Sequence, residues 1–231
     1  MGYPVEMIGA NTALFSIIGT NAIENKTDDY FNEYFKSLDV DCKMMPLNIR
    51  QDDIGFFLNG LKDSQIKAVY FEKEYWGTVS SLLENDDDEV KFSNICDTID
   101  IENNKYKMRV SVGKAIVNLL GDVKDKTVIV MGSSNEAKST LFQLIKKNPA
   151  KIILAEDTIE ELVEMMNIIP STIKQDVIRI QENNISETYD KSINFMNNTI
   201  KCDINYNEDF NKIINKIAEI NAKKWSEKWT I

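Results

Sequence analysis

The residues best suited to chemistry gather in one stretch, Lys126 to Thr158, which reads KTVIVMGSSNEAKSTLFQLIKKNPAKIILAEDT. An apolar, β-branched run from Thr127 to Met131 meets a turn of small residues, Gly132, Ser133 and Ser134, and then Asn135. A helical pattern follows, with Ala137, Leu141, Leu144 and Ile145 on one face. A second apolar run, Lys151 to Ala155, closes on Glu156, Asp157 and Thr158. Strand, tight turn, helix and strand make a βαβ unit. The helix start after such a turn offers unpaired N–H groups and a positive dipole end. An acidic residue closing the second strand, about 20 residues on, suits a ribose diol. Gly132, Ser133, Ser134, Asn135, Glu156, Asp157 and Thr158 are therefore the candidate cofactor-binding residues. Ser134 and Ala137 stand where a G-x-G-x-x-G turn would carry further glycines, so a ligand without a pyrophosphate is also accommodated.

Histidine is absent, which removes the commonest general base and metal ligand near neutral pH. Acid–base work falls to a carboxylate, lysine, tyrosine, cysteine, water or the substrate, and no histidine-ligated metal is expected. Cys42, Cys96 and Cys202 lie far apart, so neither a disulfide framework nor a cysteine metal motif is visible. A net charge of −10 argues against nucleic-acid binding. No apolar run is long enough for a transmembrane helix, and the opening MGYPVEMIGA lacks the basic start of a signal peptide. A cytoplasmic protein acting on a small molecule is expected, without nucleic acid or membrane partners and as a homo-oligomer.

The elements that must position these residues alternate. Val5 to Ile8 can begin a strand, Asn11 to Leu38 reads as a long helical region, and Asp41 to Leu47 as a strand. Gln51 to Leu61 is an amphipathic helix, Ile66 to Phe71 a strand and Tyr75 to Leu83 a helix. The acidic run from Glu84 to Glu89 reads as a solvated loop. Phe92 to Ile101 and Lys105 to Val110 can pair about a turn, Val112 to Leu120 is helical, and the βαβ unit follows. Helix Ile159 to Asn167, short strands Val177 to Ile180 and Ser192 to Met196, and a last helix from Glu208 to about Trp225 complete the chain. This alternation predicts an α/β protein with two mostly parallel sheets. An N-terminal α/β substrate domain spans 1–110, a Rossmann-like nucleotide-binding domain spans 111–205, and the last helix packs back on the first half.

In order and spacing, several segments resemble the shikimate dehydrogenase family. Gly2-Tyr3-Pro4-Val5 is similar to its G-Y/N-P-V/I start, and Gln65 to Val69 to the strand before its substrate pocket. Cys96-Asp97-Thr98 falls at its V-N-T, Asn104 to Gly113 at its crossover, and Ser192-Ile193-Asn194 at its late I-N-x-T-P strand. The resemblance implies a two-domain dehydrogenase architecture but not the family's chemistry. Its N-V-T-x-P-x-K motif falls on Tyr70 to Trp76, which puts Trp76 at the catalytic lysine position unless the register slips to Lys73. The N-T-D-G aspartate position is Val112, and the paired serines that hold the shikimate carboxylate fall on Ile8 and Ala10. Glu156-Asp157-Thr158 replaces the N-R-T that favours a 2′-phosphate. The resemblance therefore does not extend to NADP-dependent shikimate reduction.

A free ribose diol belongs to S-adenosylmethionine as well as to NAD, and the former has no pyrophosphate. Our primary expectation from sequence is an S-adenosylmethionine-dependent C-methyltransferase. It is similar in size, plan and Ile/Lys/Asn-rich composition to the pyridinol methyltransferases that help build the iron-guanylylpyridinol cofactor of a methanogen hydrogenase. The substrate would lie between the domains near Tyr70, Lys73, Trp76, Asp97 and Thr98. The alternative is an NAD-dependent dehydrogenase of shikimate dehydrogenase-like type on a small acid, with Lys73 as its acid–base group, or a non-catalytic nucleotide-binding relative.

Overall fold

The structure is a computed structural model that describes residues 8–84, 86–180, 185 and 187–229. From the amino end, β1 (Ala13–Gly19) leads through α1 (Ala22–Asn25) and α2 (Thr27–Ser37) to β2 (Cys42–Asn48). A 3-10 turn at Gln51–Asp53 opens α3 (Ile54–Leu61), which returns to β3 (Ile66–Phe71). A second 3-10 turn, Lys73–Tyr75, opens α4 (Trp76–Leu82). Next come α5 (Asp88–Ser93), the hairpin β4 (Thr98–Glu102) and β5 (Lys105–Arg109), and α6 (Val112–Leu120). The βαβ unit is β6 (Thr127–Met131), α7 (Asn135–Ile145) and β7 (Lys151–Glu156). After a 3-10 turn at Ile159–Leu162 come α8 (Val163–Asn167), β8 (Lys174–Arg179), β9 (Lys191–Asn194), β10 (Ile204–Asn205) and α9 (Phe210–Trp229). The chain divides into two compact units: Met1–Glu84, Cys96–Arg109 and Ala218–Ile231 form one, and Asn85–Ile95 with Val110–Ile217 the other.

The first unit holds a sheet of order β2-β1-β3-β4-β5. Its first three strands are parallel, and β4 and β5 add an antiparallel edge. The expected long helix from Asn11 is corrected here. Ala13–Gly19 is an interior strand, flanked by β2 and β3, and Phe15, Ile17 and Ile18 are fully buried. A run apolar on both faces is what a doubly covered parallel strand requires, and length alone does not separate it from a buried helix. Phe15 stacks on Phe35 at 5.3 Å and on Trp225 at 4.9 Å, and Phe31 stacks on Trp225 at 5.7 Å. The same face carries the buried Asp100, which accepts from Trp225 Nε1 at 2.9 Å and pairs with Arg109 at 2.7 Å. Lys224 and Lys228 each stand 3.4 Å from its second oxygen.

The second unit holds an all-parallel sheet of order β10-β9-β6-β7-β8. Ile129, Met131, Ile153, Ala155 and Ile180 form a core on it. The acidic run is only partly a solvated loop. Asp87 caps α5 by accepting from Glu89 N and Val90 N, a standard helix-start signal. Glu89 is buried, accepts from Ser139 Oγ at 2.8 Å and lies 3.6 Å from Lys146 Nζ. No helix among the described residues is long and apolar enough to cross a membrane.

Candidate functional site

In the second unit the chain runs from β6 outward to β7 and β8, then returns to β9 and β10 on the other side of β6. The carboxyl end of β6 is thus a topological switch point, where doubly wound sheets bind ligands. Gly132 stands there with φ +100° and donates its N–H to Ala155 O at 2.9 Å. A Cβ at Gly132 would lie 3.2 Å from Phe195 Cβ and 3.3 Å from Met196 Cγ, a tight fit, and the positive φ itself favours glycine. Phe195 donates its N–H to Met131 O, which holds the loop after β9 beside this turn. Ser134 is the N-cap of α7, its Oγ accepting from Ala137 N at 3.3 Å. The serine in place of a glycine therefore has a helix-capping role. Ser133 donates to Glu161 Oε2 at 3.0 Å, and Asn135 is exposed on the first turn.

Glu156 ends β7, largely buried, its Oε1 accepting from Asp157 N at 3.1 Å. Asp157 and Thr158 are exposed beyond it. Glu160, Glu161 and Glu164 follow in the next turns, with Lys138 paired to Glu164 and Arg179 opposite Glu156 on β8, so the edge where a ribose would lie carries an excess of acidic residues. Sequence reasoning passed over Glu136, which is buried in the first turn of α7 and accepts from Tyr206 O–H at 3.2 Å. It offsets part of the helix dipole and leaves backbone N–H groups as the principal anion-binding elements.

The first unit has a switch point of its own at the end of β1, between β2 and β3. The positions read from sequence as the paired serines are Ile8 and Ala10. Ile8 is exposed, and Gly2 to Val5 lie outside the described residues. The first strand ends on Gly19, and Asn25 and Thr27 follow it by six and eight residues. These side chains converge on Glu72: Asn25 Nδ2 donates to Oε2 at 2.8 Å and Thr27 Oγ1 to Oε1 at 3.0 Å. A Cβ on Gly19 would fall 2.0 Å from Glu72 Oε2. Thr20 donates from N and Oγ1 to Glu74 Oε1, and Asn48 donates to Glu24 at 3.0 Å. Burial pushes the Glu72 carboxyl above its usual range, against the two hydrogen bonds.

Of the five candidate substrate residues, Lys73 alone is exposed. Tyr70 is 1% exposed on β3 and packs its ring against Phe31 at 5.6 Å. Trp76 is 3% exposed and donates to Phe71 O at 2.6 Å. Asp97 and Thr98 are fully buried, Thr98 donating to Asp97 at 2.8 Å and accepting from Asn221 at 3.3 Å. These four belong to the packed interior of the first unit, a role that short apolar-flanked motifs share with binding strands. Val112, at the position of the family's aspartate, is fully buried. The described residues bring no three metal-ligating side chains together.

No family model matches the chain. Among curated relatives, the NADP(+) shikimate dehydrogenase of Aquifex aeolicus is 22% identical over 168 residues, 71% of this chain and 62% of that protein. This chain thus spans less than two thirds of that relative's length. The solved shikimate dehydrogenase from Aquifex aeolicus superposes with a TM-score of 0.70 at 17% identity, covering 97% of this chain and 96% of that one. The ligand-free 5-ketofructose reductase of a Gluconobacter strain gives 0.70 at 13% identity over 81% and 70%. The fold is the two-domain, Rossmann-containing architecture of shikimate dehydrogenases. These findings overturn the methyltransferase expectation and S-adenosylmethionine as cofactor: the relatives found are named as dehydrogenases. The glycine loss behind that expectation has a structural cause in the Ser134 cap.

Proposed function

We propose that this chain is an NAD(H)-dependent oxidoreductase of shikimate dehydrogenase-like architecture, acting on a small hydroxylated or carbonyl compound other than shikimate. The observation that carries the reading is the switch-point turn of the second unit, where Gly132 opens the end of β6 and Glu156 closes β7. Gly132 would let the dinucleotide's phosphates approach the turn, and the backbone N–H groups of Ser133 and Asn135 would hold them. Glu156 Oε2 would accept from the ribose diol, with Asp157 and Thr158 at its rim. The acidic edge repels a 2′-phosphate, which favours NAD over the NADP of the named relatives. When bound, the nicotinamide supplies or accepts hydride. Lys73, just beyond the carboxyl end of β3, would hold the proton for the substrate oxygen. Val112 cannot assist it, so the lysine–aspartate pair of the family is not reproduced. The 5-ketofructose reductase neighbour shows that this fold also occurs in a protein named for a neutral keto sugar.

Calorimetry with NAD and NADP tests the reading. The wild-type chain is expected to bind NAD and to bind NADP more weakly. Absence of binding by both, or a preference for NADP, would remove it.

A further inference from the structure

At the carboxyl end of β1 the first unit contains an anion site that the chain fills itself. Thr27 is the first residue of the 11-residue helix α2, whose first turn also carries Asp28 and Asp29. The Thr27 hydroxyl and the Asn25 amide are two donors that converge on one carboxylate. Glu72 occupies it with both carboxylate oxygens, at 3.0 and 2.8 Å. It is 7% exposed and rests in space that any side chain at Gly19 would take. Neighbouring donors are spent similarly, with Thr20 on Glu74 and Asn48 on Glu24. A ligand arriving at this end of the sheet therefore meets carboxylate oxygens whose partners are already taken. It gains by bringing donors and loses by bringing a second carboxylate, because like charges placed together repel.

We infer that Glu72 is a specificity-determining residue: by occupying the Asn25–Thr27 anion site, it makes the first unit reject carboxylic acids and accept neutral polyols. The inference rests on reading the first unit as the substrate-holding half of the proposed oxidoreductase, and it narrows the substrate to the uncharged class.

Shikimate and its methyl ester share one ring and one set of hydroxyls and differ in charge, so they serve as paired probes. Calorimetry would measure both on the wild type, Glu72→Ser and Glu72→Gln. The wild type is expected to bind the ester at least roughly tenfold more tightly than the acid, a difference of about 1.4 kcal/mol. Glu72→Ser vacates the site and should narrow or invert that ratio by improving shikimate. Glu72→Gln fills the same volume without charge and should narrow it while keeping the fold. Equal binding of acid and ester by the wild type, an unchanged ratio in both variants, or no binding of either probe to any form would overturn the inference. NAD titrated into the same preparations reports on the second unit independently. Loss of NAD binding with the acid–ester ratio intact would count against the dinucleotide reading alone.

Discussion

Glu156 is the residue on which the cofactor assignment turns. Its carboxylate sits at the end of β7 with Oε1 on the Asp157 amide, which leaves Oε2 for a ribose hydroxyl. Hydrogen bonds to charged groups contribute about 1.5–3 kcal/mol, so Glu156→Ala is expected to weaken NAD binding by roughly tenfold or more in calorimetry. The same change should affect NADP less, since it also removes repulsion. Equal losses for both dinucleotides would show that Glu156 does not contact the ribose. Lys73 gives a second test at this scale. Lys73→Ala is expected to lower turnover by about 10²–10⁴-fold, the usual worth of a positioned acid–base group, with NAD affinity unchanged. Full turnover would show that the proton comes from elsewhere. The glycine turn and strand-terminal acid were legible because they depend on local geometry. Glu72 was not, because its role appears only when a strand end, a helix start and Gly19 meet from separate parts of the sequence.

At the scale of elements, α9 is tied to the hairpin by Asp100 and to β1 and α2 by Trp225. Burial pushes the Asp100 carboxyl up, but the charge and hydrogen bond of Arg109, the Trp225 indole and Lys224 outweigh it and bring it down to about 2 from 3.8. A carboxyl depressed in the folded state stabilises it above the unfolded value and loses that contribution as pH falls through the folded value. Stability should therefore decline between about pH 4 and pH 2, by on the order of 2 kcal/mol from this group. Asp100→Asn should flatten that part of the denaturation profile, and an unchanged slope would assign it to other carboxylates. Trp225→Ala removes a fully buried ring stacked on Phe15 and Phe31. The expected cost is about 3–5 kcal/mol, read as a fall in the urea midpoint. Helix periodicity made α9 and its apolar face legible. The β1 segment was misread because both its faces are buried, which erases the alternation that marks a strand.

Across the whole molecule, the alternation of strands and helices was enough to identify two α/β units, and their sheets contain two switch points where such folds bind ligands. Fold alone does not supply the reaction, and the positions read from sequence as the family's aspartate and lysine carry Val112 and Trp76 in this chain. The measurement that tests the central claim most directly is the melting temperature of the intact protein with NAD or NADP over a range of concentrations. A ligand bound to the native state stabilises it by RT ln(1+[L]/Kd), about 2.7 kcal/mol at a hundredfold excess over Kd. The account predicts a concentration-dependent rise with NAD, a smaller rise with NADP, and a much reduced NAD effect in Glu156→Ala. A larger rise with NADP, or no rise with either dinucleotide, would contradict it.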